Sequence, residues 1–204
     1  MITEKFFEIF AIQGLDERMN AIRKNIQPEF QVLGEKLVPF LDENCSAKFY
    51  LHIAQHRRRT KYAPEITWCA FSQQKRGYKM EPHFQIVVNE KYLAIWLSFI
   101  DHPKNEREIA STFINNPDII KSLPKSFAIS TDHTKTDVEK MANTNIYEDL
   151  ERWKNIKKSE LQIGKTFAKD YFTKNSPDEF FDEILVTLKR LIPIYQEAMN
   201  IAAR

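Results

Sequence analysis

Only two cysteines and four glycines occur in this chain of 204 residues. Each scarcity excludes something. So little glycine, with nine prolines, argues against a turn-dense β-sandwich. Cys45 and Cys69 form no C-x-x-C pair and cannot ligate zinc alone. Two thiols behind an N-terminus that reads "MITEKFFEIFAI", too charged and too short in its apolar run for secretion, are expected to stay reduced in a cytoplasm. The most apolar window, "YLAIWLSFI" from Tyr92 to Ile100, is nine residues long, whereas a membrane helix needs about 20. No Walker loop, G-x-G-x-x-G or G-x-S-x-G occurs, which removes the ordinary nucleotide folds and the serine-hydrolase elbow. Internal repeats and low-complexity tracts are absent as well.

What remains is ample for a core. Apolar residues make up 43% of the chain, with 15 phenylalanines, so a folded domain spanning residues 1–204 is expected rather than disorder. Leu15, Met19, Ile22 and Ile26 share one helical face, and Phe30, Leu33, Leu37 and Leu41 continue it past Pro28, predicting a long or kinked helix over about residues 15–43. Thr3 is expected to cap a short helix before it. The middle changes period. "KFYLHIA", "ITWCAF", "HFQIVV" and "YLAIWLSFI" read as four strands, with "SFAIST" and "SELQIGKTF" as a fifth and sixth. Short links predict antiparallel neighbours. "NEREIASTFINN" and "DIIKSL" are helical, and "TDVEKMANTNIYEDLERWKNI" is mostly helix or loop. Ser176 and Pro177 open a strong C-terminal helix with Phe181, Ile184, Leu185, Leu188 and Ile192 on one face. The expected class is α+β: one largely antiparallel sheet of five to six strands packed against N- and C-terminal helices.

The charge is unevenly spread. Net charge is only +2, yet Lys48 to Lys79 holds eight Lys or Arg against a single acid, Glu65. Three segments at predicted strand ends carry the chemistry. "HIAQHRRRTKYAP" contributes His52, His56, Arg58 and Arg59, together with Arg57 and Lys61. "KRGYKMEPH" contributes Lys75, Arg76, Tyr78, Lys79 and His83, and "TDHTK" contributes Asp132 and His133. Guanidinium forks stay charged and pair bidentately with phosphate or carboxylate, so the cluster reads as an anion site. Asp132 is expected to orient His133 or an arginine.

Other readings stay open. The run is also compatible with solvated surface, since arginine stems cover apolar area at sheet edges. His56, His83 or His133, with Asp132, are the candidates for acid–base catalysis on a phosphorylated small molecule. Tyr78 on a loop tip would stack a base in a nucleic-acid binder, whereas Trp68 and Phe84 are assigned to the core. A metal bound by His52 and His56 is disfavoured, because three arginines follow directly and would repel a dication. No metal and no cofactor is therefore predicted. Cys69 lies inside an apolar strand pattern, where a thiol is inert. Oligomeric state is left open.

The segments "HIAQHRRRTKYAPEITWCAF", "KRGYKMEPHFQI", "STDHTK" and "IKKSELQIG" resemble the signature stretches of the DUF1054 family of Firmicutes, also called UPF0637. "GLDERMNAIRKNIQPEFQVLGEKLVPFL" and the closing "LIPIYQ" are similar too. The family pattern has a small residue where Arg57 stands, and N-P-P where this chain has Tyr62-Ala63-Pro64. The resemblance implies an α+β domain of a cytoplasmic bacterial protein and implies no activity, because the family is one of unknown function.

Overall fold

The structure is a computed structural model and describes residues 2–203. Seven strands form one sheet: β1 (Tyr50–Ile53), β2 (Ile66–Ser72), β3 (His83–Asn89), β4 (Tyr92–Phe99), β5 (Ala128–Ser130), β6 (Glu139–Lys140) and β7 (Leu161–Ala168). Their order is β1-β2-β3-β4-β7-β5-β6, and every neighbouring pair is antiparallel. All six expected strands form. The seventh, β6, has two exposed residues and pairs with β5 through its backbone, so no apolar pattern announces it.

Period-2 alternation divides the sheet into two unlike faces. Cys69, Phe71, Phe84, Ile86, Ile95, Leu97 and Ile163 point to one side, into the main core. The other side carries Ala70, Ala94, Ala128 and Gly164, with Trp96 laid across the middle. Gly164 pairs with Trp96, and a Cβ there would sit 1.8 Å from the Ile95 carbonyl oxygen and 2.8 Å from the Trp96 ring. Beside Trp96, Gln85 Oε1 accepts from Ser98 Oγ and Gln162 Nε2, both at 3.0 Å. These buried amides are satisfied by one another, as burial demands.

Helices supply the main core. They are α1 (Lys5–Glu8), α2 (Leu15–Ala21), α3 (Gln27–Cys45), α4 (Glu106–Asn115), α5 (Asp118–Lys121), α6 (Ile146–Asn155), α7 (Tyr171–Lys174) and α8 (Pro177–Ala202). The predicted 15–43 helix is α2 and α3 joined by a π-helical turn, Ile22–Ile26. Pro28 lies in the first turn of α3, directly after that π-helical turn. Pairing β1 with β2 and packing α3 on β1 places the N-terminal helices against that edge of the sheet. Helix α8 packs on β4 and β7. It opens with a full capping box: Glu179 N donates to Ser176 Oγ, and Ser176 N to Glu179 Oε2. Its buried face runs through Phe180, Ile184, Leu188, Leu191 and Tyr195, while Phe181 and Leu185 are only half-buried. At the other end the expected cap is displaced by one residue. Glu4 precedes α1, and Thr3 contributes its carbonyl, which accepts from Phe6 N at 3.1 Å.

Candidate functional site

The small-residue face is where chain segments 54–65, 73–82 and 131–138 gather. Between them lies a cleft of about 1020 Å³, lined by residues of all three segments that the sequence singles out. From the first come His52, His56, Arg57, Arg58 and Arg59; from the second Lys75, Tyr78 and Lys79; from the third His133 and Thr134. The β1–β2 connection is tethered to the N-terminal helices, with Gln27 Nε2 donating to the Ala54 carbonyl at 3.0 Å and Arg18 Nη1 to the Pro64 carbonyl at 3.1 Å.

One wall is aromatic. Tyr78 does not project from a loop tip. Gly77, at φ 71°, turns the chain so that Tyr78 starts a short 3₁₀ turn and lies half-buried on His52, their ring centroids 4.8 Å apart. The Tyr78 hydroxyl accepts from Trp68 Nε1 at 2.8 Å. Trp68, assigned to the core from sequence, faces this cleft; Phe84 is indeed core. His56 meets the Trp68 ring edge-on at 5.4 Å, with its own backbone in the left-handed region at φ 50°.

The two histidines of this wall do not form an i, i+4 ligand pair. His52 is on a strand and His56 beyond its end. His52 Nε2 bonds the Gln74 carbonyl at 2.8 Å, and His56 Nε2 bonds Thr67 Oγ1 at 3.0 Å. Burial, reinforced by Arg59 and Arg23, pushes the His56 imidazole down to about 4. Burial also lowers His52, against the pull of the Gln74 carbonyl. Both rings are neutral near pH 7.

Among the described residues no carboxylate lies within ion-pair distance of Arg57, Arg58, Arg59 or Lys75, and all four are exposed. Glu65 is the one acid on the cleft wall. Lys79 differs: its Nζ meets Asp101 Oδ2 at 2.5 Å and lies over the Trp68 ring.

Three expected members stand apart from the cleft. Arg76 lines a separate groove with Met80, Lys104 and Met199. His83 is fully buried behind Tyr78, whose ring it meets edge-on at 5.0 Å; Nδ1 bonds the Glu81 carbonyl, Nε2 has no partner among the described residues, and burial pushes the imidazole down to about 4. Strand alternation puts His83, the first residue of β3, on the same face as the cleft, and the Tyr78 ring covers it there. Asp132 does not orient His133. Its carboxylate accepts from Thr134 N and Oγ1 and pairs with Lys135.

The carboxylate that holds His133 is Glu160. Glu160 Oε2 accepts from His133 N at 3.0 Å and bonds Nδ1 at 2.6 Å, and Oε1 accepts from Asp101 N at 3.3 Å. Burial alone would raise the Glu160 carboxyl, but the His133 bonds outweigh it and leave it below the usual carboxylate range. Glu160 is the side chain of this cluster that sequence reasoning missed. It sits inside "IKKSELQIG", just before β7, and the pairing of β7 with β5 brings it to the residue after Asp132. Asp132, His133 and Glu160 offer ligand atoms within 4.8 Å of one another, the single such group among the described residues.

Comparison with known proteins agrees with the sequence resemblance. Residues 2–195 match the family model described as "Domain of unknown function (DUF1054)". A UPF0637 protein of Lactococcus lactis subsp. cremoris is 46% identical over 202 residues, covering 98% of this chain and 100% of its own. One of Enterococcus faecalis is 43% identical over 199 residues, with 98% of each chain covered. One of Listeria monocytogenes serotype 4a is 37% identical over 198 residues, with 97% of each covered. Among the described residues no helix is long and apolar enough to cross a membrane. The chain therefore belongs to the DUF1054 (UPF0637) family.

Proposed function

We propose that this cleft binds a small anionic molecule through a phosphate group, and that the protein does so in the cytoplasm. One observation carries the reading: residues from three distant segments line a single recess in which four cations have no carboxylate partner among the described residues. Unpaired guanidinium groups beside an aromatic wall suit a compact, multiply charged ligand. Arg58, Arg59 and Lys75 hold the anion; Lys79, His52, His56, Tyr78 and His133 shape the recess around it. A nucleic-acid binder would instead need its cations along a track, with free aromatic faces to stack bases, and Tyr78 already spends one face on His52.

Calorimetric titration with inorganic phosphate and pyrophosphate tests this. Wild type is expected to bind pyrophosphate more tightly than phosphate, and a combined Arg58→Ala, Arg59→Ala variant to lose at least tenfold in affinity. Equal affinity in the variant, or no binding by wild type at millimolar anion, overturns the proposal.

A further inference from the structure

The cleft contains more than an anion cradle needs. His133 is gripped twice by one carboxylate oxygen of Glu160, at its main-chain N and at Nδ1, and that carboxylate is itself pinned by Asp101 N. A carboxylate only accepts, so Nδ1 carries the proton and Nε2 is the ring nitrogen with an open lone pair. Nε2 has no hydrogen-bond partner among the described residues, and His133 lines the cleft. The side chains of His133 and Glu160 are only 20% and 12% exposed, so the pair sits where charge is poorly screened. His52 and His56 are held by neutral oxygens, Gln74 O and Thr67 Oγ1, which bring no opposite charge to a ring that gains a proton. Glu160 brings that charge. An imidazole fixed in one tautomer by a buried carboxylate is built to take up a proton at its far nitrogen.

Resting on the anion-binding reading above, we propose that the cleft hydrolyses phosphate monoesters, with His133 Nε2 as general base toward water and Glu160 as its positioning residue. A monoester fits better than a diester because its terminal group is a dianion, matching the excess of unpaired cations. In the step, a water O–H proton passes to His133 Nε2 while the water oxygen bonds to phosphorus. The bond from phosphorus to the ester oxygen breaks, and its electron pair leaves with that oxygen. The imidazolium then returns its proton through cleft water to the departed oxygen. The products are an alcohol and inorganic phosphate, and the protein ends as it began. The cations neutralise charge on the non-bridging oxygens throughout.

The experiment follows p-nitrophenyl phosphate hydrolysis by the full chain, with phosphate binding measured in parallel. Wild type is expected to turn over, and His133→Ala to lose about 100-fold or more in kcat, the span of general-base catalysis. Glu160→Gln is expected to lower kcat at least tenfold with KM and phosphate affinity unchanged, a split that a purely structural role would not give. Should Glu160→Gln fail to fold, His133→Gln carries the same kcat comparison. Wild-type turnover no greater than that of His133→Ala, with phosphate still bound, sinks the hydrolysis while sparing the binding reading. Loss of phosphate binding by wild type sinks both.

Discussion

The Tyr78 ring lies on His52 while its hydroxyl accepts the indole N–H of Trp68 at 2.8 Å, so one side chain joins the edge strand β1 to its neighbour β2. Removing only the hydroxyl separates these two roles. Tyr78→Phe leaves Trp68 Nε1 without its acceptor and is expected to cost about 1–2 kcal/mol. Tyr78→Ala also loses the stacked ring and is expected to cost about 2–4 kcal/mol. Urea unfolding of the two variants measures the difference. Equal losses would mean that the stacking adds nothing.

A second prediction concerns acid. His83 titrates near its ordinary 6.5 in the unfolded chain but at about 4 when folded. As pH falls, the unfolded state therefore takes up the proton first. Stability from this group is whole above about 6.5, declines on the way to about 4, and is level below that. The full loss is on the order of 3 kcal/mol. His56 acts in the same direction over the same window. Glu160 and Asp101, both held low, add their losses only lower, as pH falls through the carboxylate range. Stability against pH for His83→Asn should show a shallower slope between pH 6.5 and 4 than wild type. An unchanged slope would refute the assignment.

Gly164 is fixed by its neighbours rather than by its backbone angles. A methyl group there collides with the Ile95 carbonyl and the Trp96 ring, in the middle of the sheet. Gly164→Ala is expected to destabilise by about 1–3 kcal/mol or more, the range of overpacked cores. A denaturation midpoint equal to wild type would show that the sheet yields at no cost.

The exposed arginines should behave oppositely. Arg58→Glu and Arg59→Glu remove no contact that the fold uses, so each is expected to change stability by less than about 0.5 kcal/mol. Phosphate should raise the melting temperature of wild type and not of the double variant. A variant that melts much earlier without phosphate would make these side chains structural.

The sequence exposed the fold well because its signals were local. β-Branched and aromatic richness in "HFQIVV" and "YLAIWLSFI", which become strands buried on both faces, and the four-and-three spacing from Leu15 to Ile26, are each contained within one segment. β6 was invisible because two exposed residues, Glu139 and Lys140, pair through backbone alone. The site was legible as a composition and illegible as a geometry. Clustering brought forward His52, Arg58, Arg59, Lys75 and Lys79, all on the cleft. It had no means of separating Tyr78, turned inward, from Arg76, turned away, two residues earlier. Nor did it connect His133 with Glu160, 27 positions on, because that contact exists only through the pairing of β5 with β7.

That pairing has a temporal side. β5 joins the rest of the sheet only through β7, which is made 31 residues after Ser130, at Leu161. Every arginine of the cleft precedes β2 in the chain, whereas His133 gains its carboxylate partner only where β7 stands beside β5. The recess is therefore complete only once the central strand β7 is in place.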